Sequence, residues 1–225
     1  MKLKFYIAIS FLFFIMNGSN AQQFTMKGGV IYSKMHTREI VGWVEPLLNY
    51  YYEANYCYRF GRGKFWTVGF GYLGSGGTIY DKRIANVNID YHVDIRFSNL
   101  IFPAKLKIST EHRAHPRYYA FVGVAPAWMF NEERELEYTW QDPELERRKG
   151  ELHDMKKTLF PYTAKQLQGY VLIGGGVYYK HVVLDVSAMI NTFNVYKEHV
   201  APVSFNSGVI ATIGVQISRA RNKMW

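Results

Sequence analysis

The sequence predicts an all-β protein: an eight-stranded antiparallel up-and-down transmembrane β-barrel, with short turns at one end and long loops at the other. Three observations predict it. The stretch FNSGVIATIGVQI, Phe205 to Ile217, alternates apolar with small or polar residues, and its polar face holds no Lys or Glu. A half-buried strand of a water-soluble protein turns charges to solvent, whereas a membrane barrel strand turns apolar residues to lipid and small polar ones into a narrow lumen. Aromatic residues make up 17% of the chain, with 18 Tyr and 15 Phe, a composition that favours strands. The connections between the predicted strands alternate long and short, the rhythm of a barrel with both termini at one end.

The N-terminus reads as a secretory signal over residues 1–21, followed by the barrel domain over 22–225. Lys2 and Lys4 precede an apolar run from Phe5 to Met16, and Ser19 and Ala21 take the small-residue positions of a cleavage site. That run is shorter than the ~20 apolar residues of a membrane helix. Cys57 is the only cysteine, so an internal disulfide is excluded and the thiol reads as a small strand residue. The net charge of +9 is scattered, and its densest run, Glu132 to Lys157, mixes both signs. A nucleic-acid partner is not expected.

The first strand is predicted over Phe24 to Ser33, followed by a loop over Lys34 to Pro46. The second covers Leu47 to Phe60, with Tyr50, Tyr52, Tyr56 and Tyr58 on one face. Gly61-Arg62-Gly63 is a tight hairpin signal. The third runs from Lys64 to Leu73, with Trp66, Val68, Phe70 and Tyr72 outward, before a Gly-containing loop over Gly74 to Asn88. The fourth, Asp90 to Ser109, is irregular. Val93, Ile95 and Phe97 form its apolar set at first, and then Leu100, Phe102, Ala104, Leu106 and Ile108 take over, against Lys105 and Lys107. That switch predicts a β-bulge near Ser98 or Asn99, and Pro103 marks a further irregularity.

A short turn over Glu111 to Pro116 leads to the fifth strand, Arg117 to Phe130. The longest connection follows, Asn131 to Ala164, with a short helix expected from Asp142-Pro143 to Lys149. The sixth and seventh strands are Gln166 to Tyr179 and Val182 to Val195, joined at Lys180-His181. The C-terminal stretch is the eighth. Eight strands enclose an interior only wide enough for side chains. Lys27, Glu53, Asp94, Arg96, Lys105 and Asp185 are therefore expected to form an internal charge network. Tyr32, Trp66, Tyr118, Trp128 and Tyr179 suit interfacial aromatic girdles.

Chemistry-bearing patterns are sparse, and no catalytic, cofactor-binding or metal site is assigned. His92 with Asp94, and Asp185 with Ser187, are the nearest approach to a hydrolase set, but there is no G-x-S-x-G. Glu111, His112 and His115 have the composition of a metal site without a helix to align them. The glycines of Gly71 to Gly77 and Gly174 to Gly176 lack the Lys-Ser/Thr of a phosphate loop. Close backbone packing in a barrel accounts for them better.

MKGGVIYSK (Met26 to Lys34), SNLIFPAKLK (Ser98 to Lys107), YYAFVGVAPAWMF (Tyr118 to Phe130) and GYVLIGGGVYYKHVVLDVSAMINTFNV (Gly169 to Val195) together resemble a known group. The chain is similar to the small eight-stranded outer-membrane β-barrel family of the Bacteroidota, the outer-membrane β-barrel domain or PorT-like group. The resemblance implies location in the bacterial outer membrane, outer-membrane lipid as surroundings and no transferable catalytic residues. It also implies, for some members, a link to protein secretion and to other envelope or secretion-machinery proteins. One departure is the basic stretch from Ser218 to Met224, which separates the last predicted strand from Trp225. The expected function is a non-enzymatic structural or interaction role, exercised through the long loops. The alternatives are a lipid-modifying outer-membrane enzyme and a secreted lipocalin-like ligand-binding barrel, which would need a polar outer face.

Overall fold

Strict alternation commits each strand to one wall with two unlike faces, and a wall of this kind is stable in lipid only if it closes on itself. An open edge would leave backbone groups unpaired in hydrocarbon, at several kcal/mol each. The computed structural model describes residues 22–37, 43–81, 90–110, 116–139, 164–196 and 204–218. Ten strands form, β1 (Gln22–Thr37), β2 (Trp43–Glu45), β3 (Leu47–Gly61), β4 (Lys64–Asp81), β5 (Asp90–Ile101), β6 (Ala104–Ser109), β7 (Arg117–Thr139), β8 (Leu167–Tyr179), β9 (Val182–Asn191) and β10 (Ser204–Ser218). No helix occurs among the described residues.

The ring closes where β1 pairs with β10, from Gln23↔Ser218 to Thr37↔Ser204. On its other edge β1 pairs with β3. All pairings are antiparallel and follow chain order around the ring. Eight staves result, because β5 and β6 both bridge β4 and β7 and together make one stave, broken at Phe102 and Pro103. Phe102 still donates its backbone N–H to Pro126 O at 2.9 Å, so the break leaves the wall closed. β2 pairs with β4 beyond Pro46 and so continues the stave of β3.

Two of the three expected short turns fall among the described residues, and both are in place. Gly63 (φ 67°) takes a left-handed conformation in the β3–β4 turn, and Lys180 (φ 55°) does so in the β8–β9 turn. The ends at Gln22 and Ser218 lie at this same end of the barrel.

Three expectations need correction. The segments read as the first parts of loops are strand: β1 continues to Thr37, β4 to Asp81 and β7 to Thr139. Part of the Lys34–Pro46 loop is β2. The irregularity of the fourth stave falls at the expected place but on the neighbouring strand. Its register against β7 does shift between Ser98 and Asn99, but the extra residue is Phe130 on β7. β5 itself keeps its alternation throughout, with Val93, Ile95, Phe97, Asn99 and Ile101 all buried. The expected signal segment, the expected turn over Glu111–His115, the expected helix from Asp142 to Lys149 and Trp225 lie outside the described residues.

The switch of apolar residues along the fourth stave marks a change of surroundings instead. Toward the turn end the barrel is apolar outside and polar inside. Val186, Ile173 and Ile213 are about 60% exposed, whereas Lys105 and Asp185 are buried. Beyond Leu100 the pattern inverts. Ile79, Val93, Ile95 and Phe97 turn inward, and Asp94, Arg96, Glu133 and Glu135 lie on the outer side. A wall that is apolar outside faces lipid, and one that is apolar inside faces water.

Tyr52, Tyr72 and Phe130 form a chain of rings near the crossover, with successive centroids 6.3 Å apart. Phe60 and Trp66, with centroids 6.0 Å apart, stand near the turn end with Tyr118 and Tyr179. The strand from Tyr118 to Phe130 spans about 40 Å at about 3.3 Å per residue, and a tilt of about 40° projects this to about 30 Å. That matches a hydrocarbon core of about 30 Å.

Candidate functional site

Among the described residues, the lumen holds the densest buried polar chemistry. Four strands place Lys27, Glu53, Lys105 and Asp185 at one level. Lys105 Nζ lies 2.6 Å from both carboxylate oxygens of Glu53. Lys27 Nζ is 3.7 Å from Glu53 Oε1 and donates to Asp185 Oδ2. The Tyr51 hydroxyl and the Asn55 amide also donate to Glu53. Two cations thus face two carboxylates, and Glu53 accepts four hydrogen bonds from three donors through its two oxygens, so the buried charge is compensated.

Glycine makes room for this cluster. Each charged residue stands directly opposite a glycine of an adjoining strand: Lys27↔Gly214, Glu53↔Gly71, Lys105↔Gly123 and Asp185↔Gly176. A Cβ at Gly214 or Gly123 would stand 2.5 or 2.7 Å from the Cγ of its lysine, and one at Gly176 would meet Asp185 Oδ1 at 2.4 Å. These four glycines are therefore the spaces into which the charges fold, and Gly71 and Gly176 among them come from the glycine-rich segments. This is the close packing expected of them, in a form the sequence did not specify.

The lumen is filled above and below this level. Toward the turn end, Lys107 Nζ donates to the Tyr178 hydroxyl at 2.6 Å and lies 4.3 Å from the Tyr119 ring centroid. Arg117 lies over Tyr178 at 5.4 Å. Toward the loop end comes a layer of amides and hydroxyls. Asn99 Nδ2 donates to Leu73 O at 3.2 Å, and Asn191 Nδ2 and the Tyr170 hydroxyl both donate to Gln168 Oε1 at 2.8 Å. An apolar cap follows, in which Met35, Ile79, Ile95, Phe97, Met129 and Tyr196 pack together. The charged side chains at the centre are 0–5% exposed. A water-filled pore would leave them open to solvent.

Of the six residues expected in the internal network, the structure brings together Lys27, Glu53, Lys105 and Asp185. Asp94 and Arg96 are on the outside instead, above the apolar belt. Arg96 donates to Asp94 at 3.2 Å, and Asp94 also accepts from Thr78 at 2.5 Å. The residues missed are Tyr51, Asn55, Lys107, Arg117, Tyr119 and Tyr178. All six share their strands' inward parity and were findable on that ground.

The hydrolase set does not assemble. His92 lies on the outer side of the extension, its ring 5.3 Å from that of Tyr80. Asp185 and Ser187 are buried in the lumen, and Asp185 is engaged by Lys27. The wall separates the would-be base from the would-be nucleophile. Glu111, His112 and His115 lie outside the described residues. The lipocalin-like alternative needs a polar exterior and an open interior, and the barrel has the reverse of both. Cys57 is buried and accepts from Thr67 Oγ1 at 3.5 Å, which fits its reading as a small strand residue. The five expected girdle residues are all exposed on the outer surface.

No family model and no curated protein matches the chain. Among solved structures, it is similar to the outer membrane protein OprG from Pseudomonas aeruginosa, at 12% identity and a TM-score of 0.49, covering 89% of this chain and 98% of that one. It is also similar to Ail, the attachment invasion locus protein of Yersinia pestis, in complex with the heparin analogue sucrose octasulfate. There the identity is 10% and the TM-score 0.42, covering 88% of this chain and 100% of that one. A third likeness is to Neisserial surface protein A, at 10% identity and a TM-score of 0.39, covering 85% and 96%. The barrel assignment itself follows from the strand pairing.

Proposed function

We propose that this chain is a non-enzymatic integral protein of the bacterial outer membrane, delivered by the signal segment at residues 1–21. It serves a structural or interaction role through its loop end, where it supports surface contacts or protein secretion. The observation that carries this reading is the filled lumen. Four successive layers of buried side chains occupy the space a solute would need, so the working surface is the exterior. β4, β5 and β7 extend beyond the aromatic girdle and carry Asp94, Arg96, Glu133 and Glu135 on a water-facing side. The likeness to outer-membrane barrels supports the location. The resemblance to the PorT-like group of the Bacteroidota supports the link to secretion.

Two measurements test it together. Purified protein in a planar bilayer is expected to give no conductance steps, and frequent, long-lived steps would replace this reading with a channel. Photo-crosslinking in the cell from positions 133 and 135 is expected to yield adducts with envelope proteins that are absent from position 180 at the turn end. Equal adducts from both ends would remove the loop end as the working surface.

A further inference from the structure

The lipid-facing wall carries a groove of about 590 Å³ across β1, β3, β4 and β5. Its floor is Gly28 and Ala54. Met26 and Phe70 flank Ala54 in direct register on the neighbouring strands. Tyr52 and Tyr72 stand one pleat nearer the loop end, their rings tilted 45° to each other. The Tyr52 ring lies against Gly28, where an added Cβ would meet it at 3.1 Å. The small residues on the floor and the rings around them make the wall concave here, where a barrel is otherwise convex.

The volume is that of a small-ligand pocket, about 300–1,000 Å³. Lys27 and Glu53 contribute to the lining, but their charged ends are turned into the lumen. The groove therefore presents no charge, and it sits within the apolar belt. Its occupant must come from the hydrocarbon. A second barrel is a poor fit, since its convex wall would touch only the rims. A single flexible chain can enter. At the loop end of the groove the Tyr72 and Ser98 hydroxyls are 3.1 Å apart, a polar pair at the level where chains meet headgroups.

We propose that this groove is a lipid seat, which holds one acyl chain of an outer-leaflet lipid with its ester oxygens at the Tyr72–Ser98 pair. The proposal rests on the outer-membrane reading and goes beyond it, because it selects one side of the barrel. The test uses the full chain in vesicles of phosphatidylethanolamine and phosphatidylglycerol. A trace of phosphatidylethanolamine bearing a diazirine in one acyl chain serves as the probe. After photolysis, labelled residues are mapped by mass spectrometry.

Labelling of Met26, Tyr52, Phe70 and Tyr72 is expected to exceed that of Ile173 and Val186 on the far wall by roughly fivefold, about 1 kcal/mol of preference. Ala54→Trp fills the floor and is expected to remove the excess, and Ala54→Leu serves if the Trp variant does not fold. Equal labelling of both walls, or an excess that survives both variants, overturns the seat and leaves the membrane reading standing. Absence of label from the whole belt, in protein that also shows no heat-dependent gel shift, overturns the membrane reading itself.

Discussion

Glu53 is the residue on which the lumen depends most. It binds Lys105 through both oxygens and also accepts from Tyr51 and Asn55. Glu53→Ala leaves Lys105 without its carboxylate in a closed interior. Breaking a buried pair from one side costs about 3–5 kcal/mol, so the urea midpoint of the folded barrel is expected to fall sharply. Arg96→Ala removes a charge from an exposed pair and is expected to cost less than about 1 kcal/mol. Similar losses from the two variants would show that the central cluster is not closed to water. The glycine opposite Asp185 gives an independent check. Gly176→Val would press on Leu184 O, Asp185 Oδ1 and the Tyr119 hydroxyl, and overpacking of this kind costs about 1–3 kcal/mol. An unchanged urea midpoint would mean that the space opposite Asp185 is not used.

Four of the six charges expected in the lumen lie there, because parity alone decides which way a strand residue points. Asp94 and Arg96 were misassigned for a physical reason. They follow the rule that apolar residues share a face, but they stand where that rule has changed sign. The expectation treated the whole wall as lying in lipid. The tyrosines share the inward parity of the charges, Tyr51 with Glu53, but which of them meets which charge is set by the register between strands, and parity alone does not give that.

At the scale of the strand, the fourth stave and β7 carry the most information. The same stave is apolar inside above Asn99 and apolar outside below it, without any slip in its own alternation. This places the membrane boundary between Ser98 and Leu100, one pleat from Tyr72 and Phe130. In a Cys57→Ser background, Arg96→Cys is expected to react with a membrane-impermeant maleimide, while Leu100→Cys is expected to be protected until detergent is added. Equal reactivity at both positions would remove the boundary. The eight staves and the turns at Gly61–Gly63 and Lys180–His181 were legible, whereas the short β2 was not. Strand lengths were not, because the extensions of β4 and β7 beyond the belt contain glycines and mixed charges that read as loop. Neighbouring strands supply the hydrogen bonds that hold them extended.

For the whole molecule, closure, the apolar belt and the filled lumen depend on one another. Closure satisfies the backbone, the belt requires a surrounding of hydrocarbon, and the filled lumen supports the proposed role of the loop end. The most direct test of this account is the electrophoretic migration of the protein from a purified outer-membrane fraction, unboiled and boiled in detergent. A closed barrel resists detergent until heated, so the unboiled form is expected to run faster and the boiled band to shift upward. Glu53→Ala is expected to lower the temperature of that shift. A protein that is recovered from the soluble periplasmic fraction and runs identically before and after boiling would contradict the account.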